Sequence, residues 1–250
     1  MAGKTRLDAL LVARGLAENR TRAQALIISG VVYSGETRLD KPGHQIADDT
    51  ALEMRGAKTP WVSRGGEKLA HALEHFCLSV DGLDCLDVGS STGGFTDVLL
   101  QNGAAHVTAV DVGRGQLDWK LRNDSRVTVQ EGTNARYLTA EQITAPPDMV
   151  VCDASFIGLR TVLPAALSLA APEAVLVALI KPQFEVGKGR VGKGGVVRDP
   201  DLHTEVCEII EVWLSNEMGW RVEGITESPI KGPKGNIEFL ICARREGDGG

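Results

Sequence analysis

Four residues able to exchange protons stand far apart in the chain, and each falls at the end of an element: Lys68, Asp153, Lys181 and Glu238. Lys181 follows the apolar run Val175–Ile180 in Leu179-Ile-Lys181-Pro-Gln-Phe-Glu185. An ammonium at a sheet edge is costly unless carboxylates pair with it. Asp153, closing Val150-Val-Cys-Asp153, can be one such partner. Lys68, at the start of a helix, and Glu238, in Gly235-Asn-Ile-Glu-Phe-Leu, complete the group. A desolvated lysine close to a second lysine can lose its proton near neutral pH. Such a base suits alkylation of a hydroxyl, which is a poor nucleophile while it keeps its proton.

Neighbouring residues disfavour other chemistry. Asp153-Ala-Ser-Phe156 is not the Asn-Pro-Pro-aromatic sequence that amino-methyltransferases use to hold an exocyclic nitrogen. Cys152 lacks a proline-cysteine context and alternates inward on its strand, so it reads as core rather than as a nucleophile for carbon methylation. Upstream, a strand runs into the glycine-rich turn Asp87-Val-Gly89-Ser90-Ser-Thr-Gly93-Gly94-Phe95-Thr. Such a turn lets backbone approach a ligand before a helix starts. The G-x-G-x-x-G spacing of dinucleotide sites is absent, which demotes a nicotinamide enzyme. His106-Val-Thr-Ala-Val-Asp111 ends a second strand on a carboxylate that can accept both ribose hydroxyls of an adenosine ligand. The turn around Asp87 resembles the first motif of S-adenosylmethionine-dependent methyltransferases. That resemblance implies adenosylmethionine as cofactor, with Asn134 and Asp153 near its adenine and sulfonium sides.

These residues need strands to carry them. From Asp84 onward, short apolar runs (Cys85–Val88, Val107–Val110, Val127–Val129, Met149–Cys152, Val175–Ile180) alternate with helical ones (Phe95–Leu100, Val162–Leu169). The pattern predicts an α/β fold with a mostly parallel sheet, helices on both faces, and ligands at the carboxyl ends of the strands. Ahead of it, Glu67–Phe76 predicts an amphipathic helix with Leu69, Ala72, Leu73 and Phe76 inward. No stretch reaches the roughly 18 apolar residues of a membrane span. The N-terminus, broken by Asp8 and Arg14, offers no secretory signal core, so a cytoplasmic protein is expected. Five cysteines, at 77, 85, 152, 207 and 242, form no C-x-x-C pair, so neither disulfides nor a zinc site is expected, and no metal at all.

The net charge of −6 hides an asymmetry, because residues 1–60 carry nine Lys/Arg against seven Asp/Glu. Phosphate contacts need local rather than total positive charge. Leu7, Leu10, Leu11 and Leu16 predict a short helix ended by Gly15, and Asn19 is placed to cap a second through Ile28, stopped at Gly30. Short strands and glycine or proline turns follow, as far as Met54. Arg20 and Arg22, near the start of the second helix, form a candidate RNA-docking edge.

Arg6-Leu-Asp-x-x-Leu, Arg14-Gly-Leu, Asn19-Arg-x-Arg-Ala-x-x-Leu-Ile, Gly30-x-Val and Lys41-Pro-Gly resemble the RNA-binding domain named after small-subunit ribosomal protein S-four. The four separated residues resemble the Lys-Asp-Lys-Glu tetrad of FtsJ-type ribose methyltransferases. With Ser63-Arg64-Gly-Gly-Glu-Lys68, Ser91-Thr-Gly-Gly-Phe-Thr96, Lys181-Pro-Gln-Phe-Glu-Val-Gly-Lys188 and Gly194-Gly-Val-Val-Arg-Asp199, residues 5–243 resemble the TlyA family. The resemblance implies a Rossmann-like methyltransferase with a seven-stranded sheet behind a small α+β RNA-binding domain. It implies 2′-O-methylation of cytidine in ribosomal RNA, of the large subunit and in some members the small one. Lys181 would be the base, Asp153 and Lys68 its tuners, and Glu238 the holder of the ribose. The implied cofactor contacts are Asp87, Gly89, Ser90, Gly93, Gly94, Phe95, Asp111, Asn134 and Asp153. The implied RNA contacts are Arg6, Arg20, Arg22, Lys41, Arg64, Lys188, Arg190 and Lys193, with ribosomal RNA or subunits as partner and a monomer expected.

The domains are drawn as 1–58, a linker 59–66, the methyltransferase 67–245 and a disordered tail 246–250. Gly187–Arg198, with five glycines and several basic residues, is expected to be a mobile loop that orders on RNA. The rival readings are a non-catalytic RNA-binding or ribosome-assembly protein, which would need a broken tetrad, and a cytolysin, for which no amphipathic pore segment is present.

Overall fold

A computed structural model describes residues 3–54, 59–187 and 189–245, and the chain divides into two compact units, Met1–Arg64 and Gly65–Gly250. The expected boundary at Lys58 and the tail 246–250 lie outside the described residues.

In the first unit, β1 (Lys4–Arg6) leads into α1 (Leu7–Ala13), followed by α2 (Arg20–Ile28), β2 (Val32–Ser34), β3 (Thr37–Arg38), β4 (Gln45–Ala47) and β5 (Glu53–Met54). Gly15 ends the α1 turn with φ +69°, a conformation that costs glycine least. The Asn19 side chain accepts the Arg22 N–H at 2.8 Å and caps α2 as expected. Leu7, Leu11, Ala23, Ile27 and Val32 form a core between the two helices and the strands. β1 pairs antiparallel with β4, and β2 pairs with both β3 and β5. Arg14 is structural, since its guanidinium donates to the carbonyls of Thr50 (2.6 Å) and Asp48.

The second unit opens with α3 (Gly65–His75), which begins two residues before the expected start and so takes in the glycine pair. Then come β6 (Asp84–Val88), α4 (Gly94–Gln101), β7 (His106–Asp111), α5 (Trp119–Arg122), β8 (Val127–Glu131), β9 (Met149–Cys152), α6 (Leu159–Val162), α7 (Pro164–Ser168), β10 (Val175–Ile180), α8 (Pro182–Glu185), α9 (Pro200–Asn216), β11 (Trp220–Glu227) and β12 (Phe239–Arg245). One seven-stranded sheet has the order β11-β12-β10-β9-β6-β7-β8. The five central and right-hand strands are parallel, whereas β12 runs antiparallel to both β10 and β11. Each of β9 and β10 is buried along its whole length, the signature of a parallel sheet covered on both faces.

Order reverses between β6 and β9: the chain proceeds outward through β7 and β8 on one side and through β10 on the other. Open α/β sheets bind ligands outside the strand ends at such a switch point. Because β12 is antiparallel, its beginning rather than its end reaches that edge. In register, Ile180 pairs with Phe239, so Lys181 and Glu238 leave the sheet side by side.

Candidate active site

The glycine-rich turn joins β6 to α4 at the switch point. Gly89, at φ +83°, has the Ala154 backbone so close that an added Cβ would stand 2.9 Å from its N and Cα. Gly93, at φ +93°, would drive a Cβ to 2.9 Å from Leu117 and closer still to Leu121. These two glycines let the turn pack closely against its own protein. The N–H groups of Gly89 and Ser90 both donate to the Val110 carbonyl, and the Phe95 side chain is in the core. Of Phe95, what can face a ligand is its backbone amide in the first turn of α4.

Asp87 is fully buried, and its Oδ2 accepts from Thr96 N (3.0 Å) and Thr96 Oγ1 (2.6 Å). Burial pushes its carboxyl up to about 7, with the Thr96 hydrogen bonds holding back part of the rise. Its other oxygen, Oδ1, is buried without a hydrogen-bond partner. A buried carboxylate oxygen with an unused acceptor fits a polar or cationic ligand, and an adenosylmethionine amino acid moiety has that character. Asp111 leaves β7 with Oδ2 accepting Ser91 N (2.8 Å) and Oδ1 accepting Gly113 N (2.7 Å). Its carboxylate is thereby fixed in place while each oxygen keeps further acceptor capacity. Glu131 braces the same edge: burial would raise its pKa, but Arg122 and the amides of Gly115, Gln116 and Leu117 bring it down to about 2. Asn134 stands exposed past β8, its oxygen capping the turn Ala135–Tyr137 through Arg136 N at 3.1 Å.

The four titratable residues meet. Lys68 Nζ lies 2.8 Å from Glu238 Oε2 and 3.3 Å from Asp153 Oδ2. Lys181 Nζ lies 2.6 Å from Asp153 Oδ1, 3.2 Å from the Asp153 carbonyl and 2.9 Å from Ser155 Oγ. Both lysines and Glu238 are buried, and the Asp153 carboxylate is shared between the two lysine Nζ atoms. Burial favours neutral Lys68, but Asp153 and Glu238 outweigh it and raise its pKa. Burial likewise favours neutral Asp153, and Lys181 and Lys68 reverse that, lowering its pKa. Cys152, directly before it, is pushed up to about 12 by burial, so its thiol stays protonated and inert.

Several contributors were not legible beforehand. Gln183 Nε2 donates to Glu238 Oε1 at 3.4 Å, and Gly232 is glycine because the Glu238 carboxylate occupies the space of a Cβ. Ser155 presents its hydroxyl to Lys181. Phe156 follows at φ +67°, a strained conformation for an aromatic residue, with 90% of its surface exposed. Its ring lies 5.3 Å from that of Phe184. The Gly187–Arg198 loop, expected to be mobile, is anchored over its second half. Buried Asn236 accepts Val197 N (3.1 Å) and donates to the Gly195 carbonyl (3.0 Å), while Val196 and Val197 enter the interior. The signal that could have found this clamp was the Val196-Val197 pair amid glycines.

Among the residues expected to touch RNA, Lys41, Arg64, Arg190 and Lys193 are exposed, and Lys188 lies outside the described residues. Arg190 pairs with Glu205. Arg6 and Arg20 both reach Asp8, and Arg22 is engaged in contacts of its own.

Residues 61–245 match the FtsJ-like methyltransferase model. The chain belongs to the FtsJ-like methyltransferase family. This methyltransferase is 51% identical over 249 residues to the 16S/23S rRNA (cytidine-2′-O)-methyltransferase TlyA of Mycobacterium tuberculosis, covering 99% of this chain and 92% of that protein. It is 41% identical to Hemolysin A of Brachyspira hyodysenteriae, covering 94% of this chain and 98% of that protein. A solved structure from Streptococcus thermophilus that carries a hemolysin name superposes with a TM-score of 0.76 at 43% identity, covering 98% of this chain and 90% of that one. Among the described residues, no helix of this methyltransferase is long and apolar enough to cross a membrane.

Proposed function

We propose that the protein transfers a methyl group from S-adenosylmethionine to the 2′-hydroxyl of a cytidine in ribosomal RNA, in the cytoplasm, with large-subunit RNA as first candidate and small-subunit RNA as second. The observation that carries the reading is the unbroken contact chain Lys181–Asp153–Lys68–Glu238 at the switch point. A non-catalytic RNA-binding protein has no reason to keep two buried lysines on one carboxylate, an arrangement that costs desolvation of every member.

The cofactor would be held by Asp87 and Asp111, with the Gly89–Phe95 turn beneath it. When bound, it supplies an electrophilic methyl on a sulfonium. The chain's residues do the rest. Lys181 takes the hydroxyl proton on Nζ as the oxygen attacks, which requires Nζ to be neutral in that step. Asp153 fixes the direction of Lys181 and stabilises the ammonium that forms. Lys68, held cationic between Asp153 and Glu238, bridges the two side chains and fixes their spacing. Glu238, with Gln183 and Gly232 against it, orients the ribose by accepting a hydroxyl hydrogen bond. The exposed Phe156 ring beside Ser155 offers a face on which the base can stack.

We further propose that residues 1–58 form the S-four-like RNA-binding domain and that Arg6, Arg20, Arg22, Lys41, Arg64, Lys188, Arg190 and Lys193 contact the RNA. The deciding experiment is transfer of a labelled methyl group to separated ribosomal subunits from a strain lacking the protein, followed by nucleoside analysis. Label in 2′-O-methylcytidine supports the reading. No label on either subunit or on free ribosomal RNA, with cofactor binding demonstrated, would overturn it.

A further inference from the structure

Asp8 stands at the first turn of α1 with a side chain fully removed from solvent, and three charged or polar side chains close on it. Arg6 donates Nε to Oδ1 (3.1 Å) and Nη2 to Oδ2 (2.8 Å), a bidentate pair. Arg20 donates Nε to Oδ2 (3.0 Å), and Gln24 donates Nε2 to the same oxygen (2.9 Å). The backbone of Asp8 also works: its N–H donates to the Pro42 carbonyl at 3.0 Å, and Leu7 N donates to the His44 carbonyl at 2.8 Å. These bonds staple the Lys41–His44 turn to the head of α1. Gly43 lies against Arg6, where a Cβ would stand 3.3 Å from Nη1. One buried carboxylate thus sits behind Arg6, Arg20 and the turn that carries Lys41.

A guanidinium has five N–H donors. Asp8 occupies two on Arg6 and one on Arg20, and both side chains remain about half exposed. The remaining donors sit on two long, half-exposed side chains that Asp8 already holds in place. Fixing them beforehand removes an entropy cost that binding would otherwise carry. We propose that Asp8 is a positioning residue for RNA docking, which acts through Arg6 and Arg20 by holding their guanidinium groups in the orientation that meets RNA phosphates. The idea rests on the RNA-directed function proposed above.

Its consequence runs against charge counting. Removing a negative charge from a face that binds a polyanion should strengthen binding if only net charge matters. Loss of the organiser should weaken it.

The test is filter binding of the full-length protein to purified unmodified ribosomal RNA across a salt series, with wild type, Asp8→Asn, Arg6→Gln/Arg20→Gln, and the triple variant. The expected result is that Asp8→Asn binds about tenfold more weakly than wild type. Its affinity for S-adenosylmethionine and its turnover at saturating RNA should be unchanged. In the Arg6→Gln/Arg20→Gln background, Asp8→Asn should cost less than twofold, because the residues it acts through are gone. Equal or tighter RNA binding by Asp8→Asn overturns the proposal. So does a loss that persists undiminished in the doubly substituted background, which would mean that Asp8 only keeps the unit folded. A wild-type protein that binds no ribosomal RNA would overturn the functional reading, and this proposal with it.

Discussion

Lys68 Nζ lies 2.8 Å from Glu238 Oε2, although 170 positions separate the two residues in the chain. The contact joins the first turns of α3 to the residue just before β12, and it closes the four-residue chain at the sheet edge. Removing one member of a buried ionic group leaves the others uncompensated. Lys68→Ala should therefore leave the carboxylates of Asp153 and Glu238 facing each other and destabilise the second unit by roughly 3–5 kcal/mol. Denaturant unfolding would measure this, and a loss under about 1 kcal/mol would mean the group contributes little to stability.

Lys181→Ala should lower methyl transfer by at least about a hundredfold, the usual contribution of a positioned general base. S-adenosylmethionine affinity, measured by calorimetry, should stay within a few-fold, because Asp87 and Asp111 are untouched. Unchanged turnover would remove Lys181 from the base role.

Asp87 gives the ligand-free protein a defined pH response. Its carboxyl is raised to about 7 in the fold from an ordinary value near 4, so the folded state prefers the protonated form. The stabilising effect is complete below the unfolded pKa and is lost as pH rises through about 7. Thermal stability should thus fall between about pH 4 and pH 7, by at most roughly 4 kcal/mol, and level off above that. Asp87→Asn should flatten this dependence, and an unaltered pH profile in that variant would assign the response elsewhere.

Asp153 and Lys68 work at the outer limits. Asp153, lowered, contributes stability above the ordinary aspartate range that is lost in acid as pH falls through its folded value. Lys68, raised, contributes below the ordinary lysine range and loses that contribution only in strong alkali.

Asn236→Ala should free residues 195–197 and leave the Val197 N–H and the Gly195 carbonyl without their buried partner, a cost of about 1–3 kcal/mol. Limited trypsin digestion should then cut faster at Arg190, Lys193 and Arg198. Equal cleavage rates would show that contacts other than those of Asn236, such as the Arg190–Glu205 pair and the burial of Val196 and Val197, hold the loop.

Phe156→Ala removes a ring that is 90% exposed and strained in the left-handed region. Stability should hold or rise slightly, while RNA binding should weaken by about 1–3 kcal/mol if a base stacks there. A full-strength RNA affinity would leave the ring without a role in docking.

The alternation of apolar runs with helical ones was enough to announce a covered parallel sheet, because a strand buried on both faces must be apolar throughout. Asp111 and Lys181 could be placed at strand ends for the same reason: each follows the last apolar residue of its run. Asn19 could be read as a cap because its side chain acts within three residues. What no local pattern encodes is which strand lies beside which. The antiparallel insertion of β12 next to β10 decides that Glu238, at a strand's beginning, shares an edge with Lys181, at a strand's end. The same holds for Asp8, a first-turn aspartate in sequence, which becomes the centre of an arginine pair only when α1, α2 and the Lys41–His44 turn pack together. Gly89 and Gly93 show the converse: their residue type is visible, but the neighbours that demand it, Ala154 and Leu121, arrive through the fold. Period and propensity act over a few residues, and the sequence carried those. Desolvation and ion pairing act through space, and only the tertiary structure sets them.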